Sequence, residues 1–235
     1  MRIALAGEKV KTWLAGLDEA LGGGFPDGCL VALVGASGMV HELFARQLLY
    51  LHVVNGGSAA YVTTRRPASD VAREMAAFGF DVEGLVKDGR WSFVEALTRS
   101  AKESLLELVK AEVEEGRWVA IDSMSHLVSS KVYVADVEDP AMQRPLTTLL
   151  RGLAKASRKY GGVHFILSTK NLLDSKSEAL IEDMADWVLE FNYDLAPGRI
   201  ARQIFFRKVA APVNSEVLSF RVTKEGILIE TAVRI

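Results

Sequence analysis

Short apolar runs alternate with amphipathic stretches from residue 29 to residue 170, and this alternation restricts the fold more than any other feature of the chain. The runs are CLVALVG (29–35), AAYVTT (59–64), WSFVEA (91–96), RWVAIDS (117–123) and VHFILST (163–169). Residues 31–34 and 118–121 are apolar without interruption, the pattern of strands covered on both faces. Helical stretches lie between and after them at 41–54, 69–78, 100–115 and 141–160. The second opens on Ser69 as a candidate N-cap and ends at Gly79, the third stops at Gly116, and the last closes at Gly161 and Gly162. Such a succession predicts an α/β fold: a mostly parallel central sheet flanked by helices and joined by right-handed crossovers. From residue 186 the pattern changes. DWVLEFN (186–192), RQIFFRK (202–208), VLSFRVT (217–223) and GILIET (226–231) follow one another with turns expected at 196–199 and 224–226, which predicts antiparallel C-terminal strands. With no repeat or linker in 235 residues, one domain spanning 1–235 is the simplest reading.

Composition removes several classes of function. A net charge of −2 gives no bulk attraction to nucleic acid or to an anionic membrane. No apolar stretch reaches 18 residues, so no membrane span is expected, and the apolar start before Glu8 and Lys9 is too short for a signal peptide. A lone Cys29 permits no internal disulfide and suits a reducing, cytoplasmic setting. Asn and Gln together number seven against many Glu, Lys and Arg, a bias toward thermophilic proteins.

The chemistry should lie at LVALVGASGMVHELFARQLLY (30–50). A strand, a glycine turn and a helix aim backbone N–H groups and the helix dipole at an anion, the arrangement of a phosphate loop. In such a loop a lysine reaches the terminal phosphates and a Ser or Thr hydroxyl holds Mg²⁺. The candidate loop is Gly35, Ala36, Ser37, Gly38, Met39, Val40, His41 and Glu42. Val40 stands at the second glycine position, His41 at the lysine position and Glu42 at the hydroxyl position. Taken alone, GASG before a helix reads equally well as an ordinary strand-to-helix turn.

Further stretches turn this into a resemblance. GLDEALGGGFPDGCLVALVGASG (16–38), AAYVTTRRPASDVAREMAAFGFDV (59–82), WVAIDSMSHL (118–127), GGVHFILSTK (161–170) and the strands from 184 onward are similar, in order and spacing, to the KaiC-like branch of the RecA superfamily of ATPases, from about Gly16 to Ile229. The resemblance implies a RecA-like P-loop NTPase fold, ATP as cofactor, and a homo-oligomer or a hetero-oligomer with an active relative. It places Asp122 at the Walker B position. It also implies acids after the second strand, where this chain has Arg65 and Arg66, and a basic pair, here Arg207 and Lys208, that reaches a neighbouring subunit's phosphates. Loss of the lysine, the magnesium ligand and both acids removes most of what positions phosphate, metal and water. The expected protein is a catalytically degenerate relative that binds, scaffolds or regulates, with ATP or ADP bound weakly or not at all. The alternatives are a rearranged ATPase and an accessory protein of recombination.

The replacements also suggest a charge-swapped site, in which Glu42, with or without Asp122, pairs with Arg65 or Arg66 and fills the space of metal and phosphate. Such a pair would be buried, and breaking a buried pair costs about 3–5 kcal/mol, so Glu42→Ala is expected to destabilise the protein markedly. The alternative is that both arginines point to solvent and Glu42 complements the helix dipole. A third reading has the arginines replace the lysine and bind an anion without metal. His41, His52, His126 and His164 have no zinc spacing with Cys29, and Trp13, Trp91, Trp118 and Trp187 suit a core or an interface better than base stacking. The segment 129–145, expected as a mobile loop, carries Asp136, Glu138 and Asp139 against Lys131 and Arg144, too few cations for a DNA-binding loop.

Overall fold

A computed structural model describes residues 8–129, 144–196 and 199–230. Residues 197–198 of the turn expected at 196–199 and most of the 129–145 segment lie outside them. The strands are β1 (Lys9–Val10), β2 (Phe25–Pro26), β3 (Cys29–Gly35), β4 (Ala59–Thr63), β5 (Trp91–Glu95), β6 (Trp118–Asp122), β7 (Val163–Thr169), β8 (Trp187–Ala196), β9 (Arg199–Lys208), β10 (Val217–Thr223) and β11 (Gly226–Glu230). The helices are α1 (Leu17–Ala20), α2 (His41–Val54), α3 (Ala68–Ala77), α4 (Glu83–Lys87), α5 (Arg99–Glu103), α6 (Leu105–Glu114), α7 (Met124–Ser129), α8 (Arg144–Tyr160) and α9 (Ser175–Met184). Apart from the small β1–β2 ribbon, the strands form one nine-stranded sheet in the order β11-β10-β9-β8-β3-β7-β6-β4-β5. The block from β8 to β5 is parallel and β8 to β11 is antiparallel, as the change in sequence pattern predicts.

Strands β3, β4 and β6 are buried at every position, which explains their unbroken apolar runs. One core packs α2 and α3 on one sheet face around Phe44, Leu48, Tyr61, Phe165, Trp187 and Phe191. The other packs α6 and α8 on the opposite face around Leu30, Val109, Ile121, Leu149 and Leu153. Trp91, Trp118 and Trp187 are core residues, whereas Trp13 is exposed.

Three local expectations need correction. The stretch 100–115 is two helices that meet at Ser104, with Thr98 capping the first. Helix α3 starts at Ala68 rather than after a Ser69 cap, because the Glu95 carboxylate accepts from the Ala68 N–H at 2.6 Å and supplies the cap from β5. Helices α4, α7 and α9 were not anticipated; they are short and their apolar periodicity is weak.

Helix α2 is also tied to the far edge of the sheet. The Gln47 amide donates to the Ile227 carbonyl at 3.0 Å and accepts from the Ile227 N–H at 2.6 Å, completing the buried edge of β11 as a neighbouring strand would. A Cβ at Gly226 would lie 2.6 Å from that amide. Gln47→Leu strands two backbone groups and is expected to cost about 2 kcal/mol, read by urea denaturation.

Candidate functional site

Register brings the candidate residues to one edge. Gly35 pairs with Thr169 and Phe191, and Thr63 pairs with Asp122 and Glu95, so β3, β4, β5, β6 and β7 end near one another at their carboxyl ends, while β8 runs on past them. In open α/β sheets that edge is where ligands bind. Ala36, Ser37 and Gly38 are exposed, Met39 is buried, and the Met39 N–H bonds the Ala36 carbonyl at 3.1 Å. Val40 adopts φ 56°, ψ 16°, a left-handed conformation rarely taken by a β-branched residue. The loop thus keeps a backbone turn that favours glycine although its glycine is gone, and the surrounding structure holds the strain.

His41 does not take the place of a phosphate-binding lysine. Its ring is 1% exposed and folds back under the loop, between Gly35 and Phe191, with neither ring nitrogen hydrogen-bonded. Burial pushes the imidazole below its usual range, against the pull of Glu42 and Asp122. It is a neutral core group.

Glu42 and Arg65 do meet, at 2.8 Å. Their side chains are 24% and 38% exposed, so the pair is screened by water. The large cost expected for Glu42→Ala on the premise of a buried pair is therefore revised: at such exposure a salt bridge contributes about 1 kcal/mol or less, and the variant should melt close to the wild type.

The buried part of the network centres on Asp122, whose side chain is wholly inaccessible. Its Oδ2 accepts the Tyr61 hydroxyl at 2.6 Å and lies 3.7 Å from Arg46 Nη2 and 3.9 Å from Arg66 Nη2. Its Oδ1 has no hydrogen bond and faces Arg65 Nε at 3.7 Å. Arg46 also donates to the Tyr61 hydroxyl at 3.1 Å and to Glu74 at 2.8 Å, and Arg66 bonds the other Glu74 oxygen. Burial and the adjacent Asp122 carboxylate raise the Tyr61 phenol well above its usual range, so it stays a donor. Three guanidinium groups are balanced by Glu42, Glu74 and Asp122. Sequence reasoning did not assign Arg46, Tyr61 or Glu74. The available signal was a charged Arg46 within the mostly apolar run of α2.

Magnesium-triphosphate, which the family resemblance implies, fits this arrangement poorly. The orphaned Oδ1 of Asp122 favours a cation, but a guanidinium already faces it. A divalent ion about 4 Å from one guanidinium is repelled by about 8 kcal/mol at an effective dielectric near 20. Among the described residues no group of three or more His, Cys, Asp or Glu gathers to hold a metal.

Arg207 and Lys208 are engaged within their own chain. Arg207 lies 2.9 Å from both Glu182 and Glu190, and Lys170 meets the other Glu190 oxygen at 2.5 Å. Lys208 Nζ donates to the carbonyls of Glu182, Asp183 and Ala185, capping the C-terminus of α9. Among the described residues no helix is long and apolar enough to cross a membrane.

Comparison with known proteins agrees with the topology. The model of the KaiC ATPase family matches residues 10–233. A UPF0273 protein of Thermotoga maritima is 24% identical over 242 residues, covering 94% of this chain and 96% of its own. The crystal structure of a KaiC-like protein from the hyperthermophilic archaeon Pyrococcus horikoshii OT3 superposes with a TM-score of 0.79 at 23% identity, over 96% of this chain and all of that one. The flagellar accessory protein FlaH of Methanocaldococcus jannaschii gives a TM-score of 0.76 at 18% identity, over 97% of this chain and all of that one. At these identities the two structures establish the fold alone.

Proposed function

This chain belongs to the KaiC ATPase family, and from that premise we propose that it is a single-domain member that has given up efficient ATP hydrolysis and works by binding, as a scaffold or regulatory subunit. The observation that carries this reading is the environment of Asp122. Its carboxylate accepts from Tyr61 and is faced by three arginines within 4 Å, at the place where a working relative needs a metal. Hydrolysis depends on positioned metal, phosphate and water. Here the residues at the lysine, hydroxyl and acid positions are a buried neutral histidine, a carboxylate and two arginines.

The proposed setting is the cell interior, in an oligomer of this chain or beside an active KaiC-like relative. In such an oligomer Arg207 and Lys208 would have to leave their own carboxylates and helix end before they could serve a neighbour. A phosphate-release assay with ATP and Mg²⁺ tests the reading. Release at the background rate, unchanged by Asp122→Asn, is expected. Magnesium-dependent release abolished by Asp122→Asn would overturn it.

One observation favours a second reading, a nucleotide site rearranged to work without metal. The loop at Ala36–Gly38 is exposed and Arg65 stands beside it, partly open to solvent. Titration calorimetry with ATP, run with and without Mg²⁺, separates the two: heat of binding indifferent to Mg²⁺ supports the second, and no heat supports the first.

A further inference from the structure

We propose that Arg65 stands in for a divalent cation, bridging Glu42 and Asp122, and that these two carboxylates form a latent metal site which the guanidinium holds closed. The inference rests on the reading of the site given above and adds a specific occupant. Arg65 contacts both groups: its Nη2 meets Glu42 Oε1 at 2.8 Å and its Nε faces Asp122 Oδ1 at 3.7 Å. Asp122 Oδ1 is inaccessible to water and has no hydrogen bond, whereas Oδ2 is taken by Tyr61, with Arg46 and Arg66 nearby. One carboxylate oxygen is therefore left aimed at the guanidinium. Glu42 brings the second carboxylate from the first turn of α2 to the same group.

A planar, permanently charged guanidinium can span two carboxylates as a metal ion does, but it neither exchanges water nor activates it. Its charge keeps divalent ions away for as long as it stays. Arg46 and Arg66 lie against the other Asp122 oxygen, Oδ2, at 3.7 and 3.9 Å and share Glu74, so their repulsion of an ion at Oδ1 acts from farther away and is partly neutralised. Removing Arg65 alone opens one space faced by Glu42 and by the orphaned oxygen of Asp122, both oxygen donors of the kind that hard divalent cations take.

The test is a Mn²⁺ titration followed by the electron paramagnetic resonance signal of free Mn²⁺, on the full chain without nucleotide. The wild type should leave the signal untouched at millimolar Mn²⁺. Arg65→Ala should bind one Mn²⁺ at least tenfold more tightly than the wild type, and Arg65→Ala with Asp122→Asn should lose that binding. Arg65→Lys, which keeps the charge, should behave as the wild type. Mn²⁺ binding by the wild type that disappears in Asp122→Asn overturns the proposal, and so does a folded Arg65→Ala that takes up no Mn²⁺. Should Arg65→Ala fail to fold by circular dichroism, Arg65→Gln, which keeps most of the bulk without the charge, replaces it in the same titration with the same two outcomes. Wild-type Mn²⁺ binding without phosphate release defeats this inference and leaves the proposed function standing. Phosphate release without Mn²⁺ binding does the reverse.

Discussion

Asp122→Ala is expected to unfold about 3 kcal/mol more easily than the wild type, a fall in melting temperature of roughly 10 °C for a chain of this size. The carboxylate is the hub of the buried network. Removing it leaves the Tyr61 hydroxyl without its acceptor, and Arg46, whose side chain is 5% exposed, with only Glu74 as a carboxylate partner. Breaking a buried ion pair from one side strands the other charge in a poorly solvating interior, and that penalty dominates. Glu74 and Glu42 remain to hold part of the positive charge, which keeps the figure at the low end of the range for such deletions. Asp122→Asn should fall between, because its amide oxygen still accepts from Tyr61. An acid poised for a metal behaves in the opposite way: deleting it relieves like-charge repulsion and leaves the metal-free protein as stable or more so. Urea denaturation of the three proteins, followed by circular dichroism, distinguishes the two. An Asp122→Ala midpoint at or above the wild type would contradict the network described here.

Acidification is the second large effect. His164 is buried, accepts the Val119 N–H on Nδ1 at 3.3 Å and pairs with the Gly161 carbonyl through Nε2 at 2.9 Å, so Nε2 carries the hydrogen. A proton added on Nδ1 would meet an N–H already pointing at it. Burial lowers this histidine to about 4, and the Gly161 carbonyl and Asp27 only partly oppose that. His52 stacks on Trp118 with ring centroids 3.9 Å apart, and burial lowers it to about 4 as well. A Cβ at Gly57 would lie 2.1 Å from that ring, so this close seat requires glycine. Both groups are neutral in the fold, while in the unfolded chain they take up protons near pH 6.5. Their stabilisation is complete above pH 6.5 and is lost as pH falls toward 4. By pH 5 each has given up about 2 kcal/mol, His52 less because it is only half-buried. Melting temperature should drop steeply between pH 7 and pH 5. The His52→Phe, His164→Asn double variant should show a shallower slope, and an equal slope would place the acid sensitivity elsewhere.

The order of strands and helices from 29 to 170 was legible because burial on both faces demands unbroken apolar runs, and crossover helices demand amphipathic ones. Residues 29–35, 41–54 and 163–169 carry that requirement so strongly that sequence and structure agree to the residue. Where the requirement is weak, as in α4, α7 and α9, the pattern was silent. The alignment of Gly35, Thr63, Asp122 and Thr169 along one edge, and with it the gathering of Glu42, Arg65 and Arg66 around one carboxylate, was implied by the family resemblance rather than by the strand pattern, which leaves the order of neighbours open. The energetic weight of each contact did not follow. Burial is set by what packs above a side chain from distant parts of the chain. Only the assembled fold leaves Glu42 and Arg65 half in water, closes Asp122 beneath Tyr61 and Arg46, and turns His41 under the loop. The sequence by itself, read with its family resemblance, placed Glu42, Arg65, Arg66 and Asp122 at one site, and only the fold added Arg46 and Glu74. The tertiary structure decided which of them are desolvated, and desolvation is what separates a surface ion pair from a structural hub.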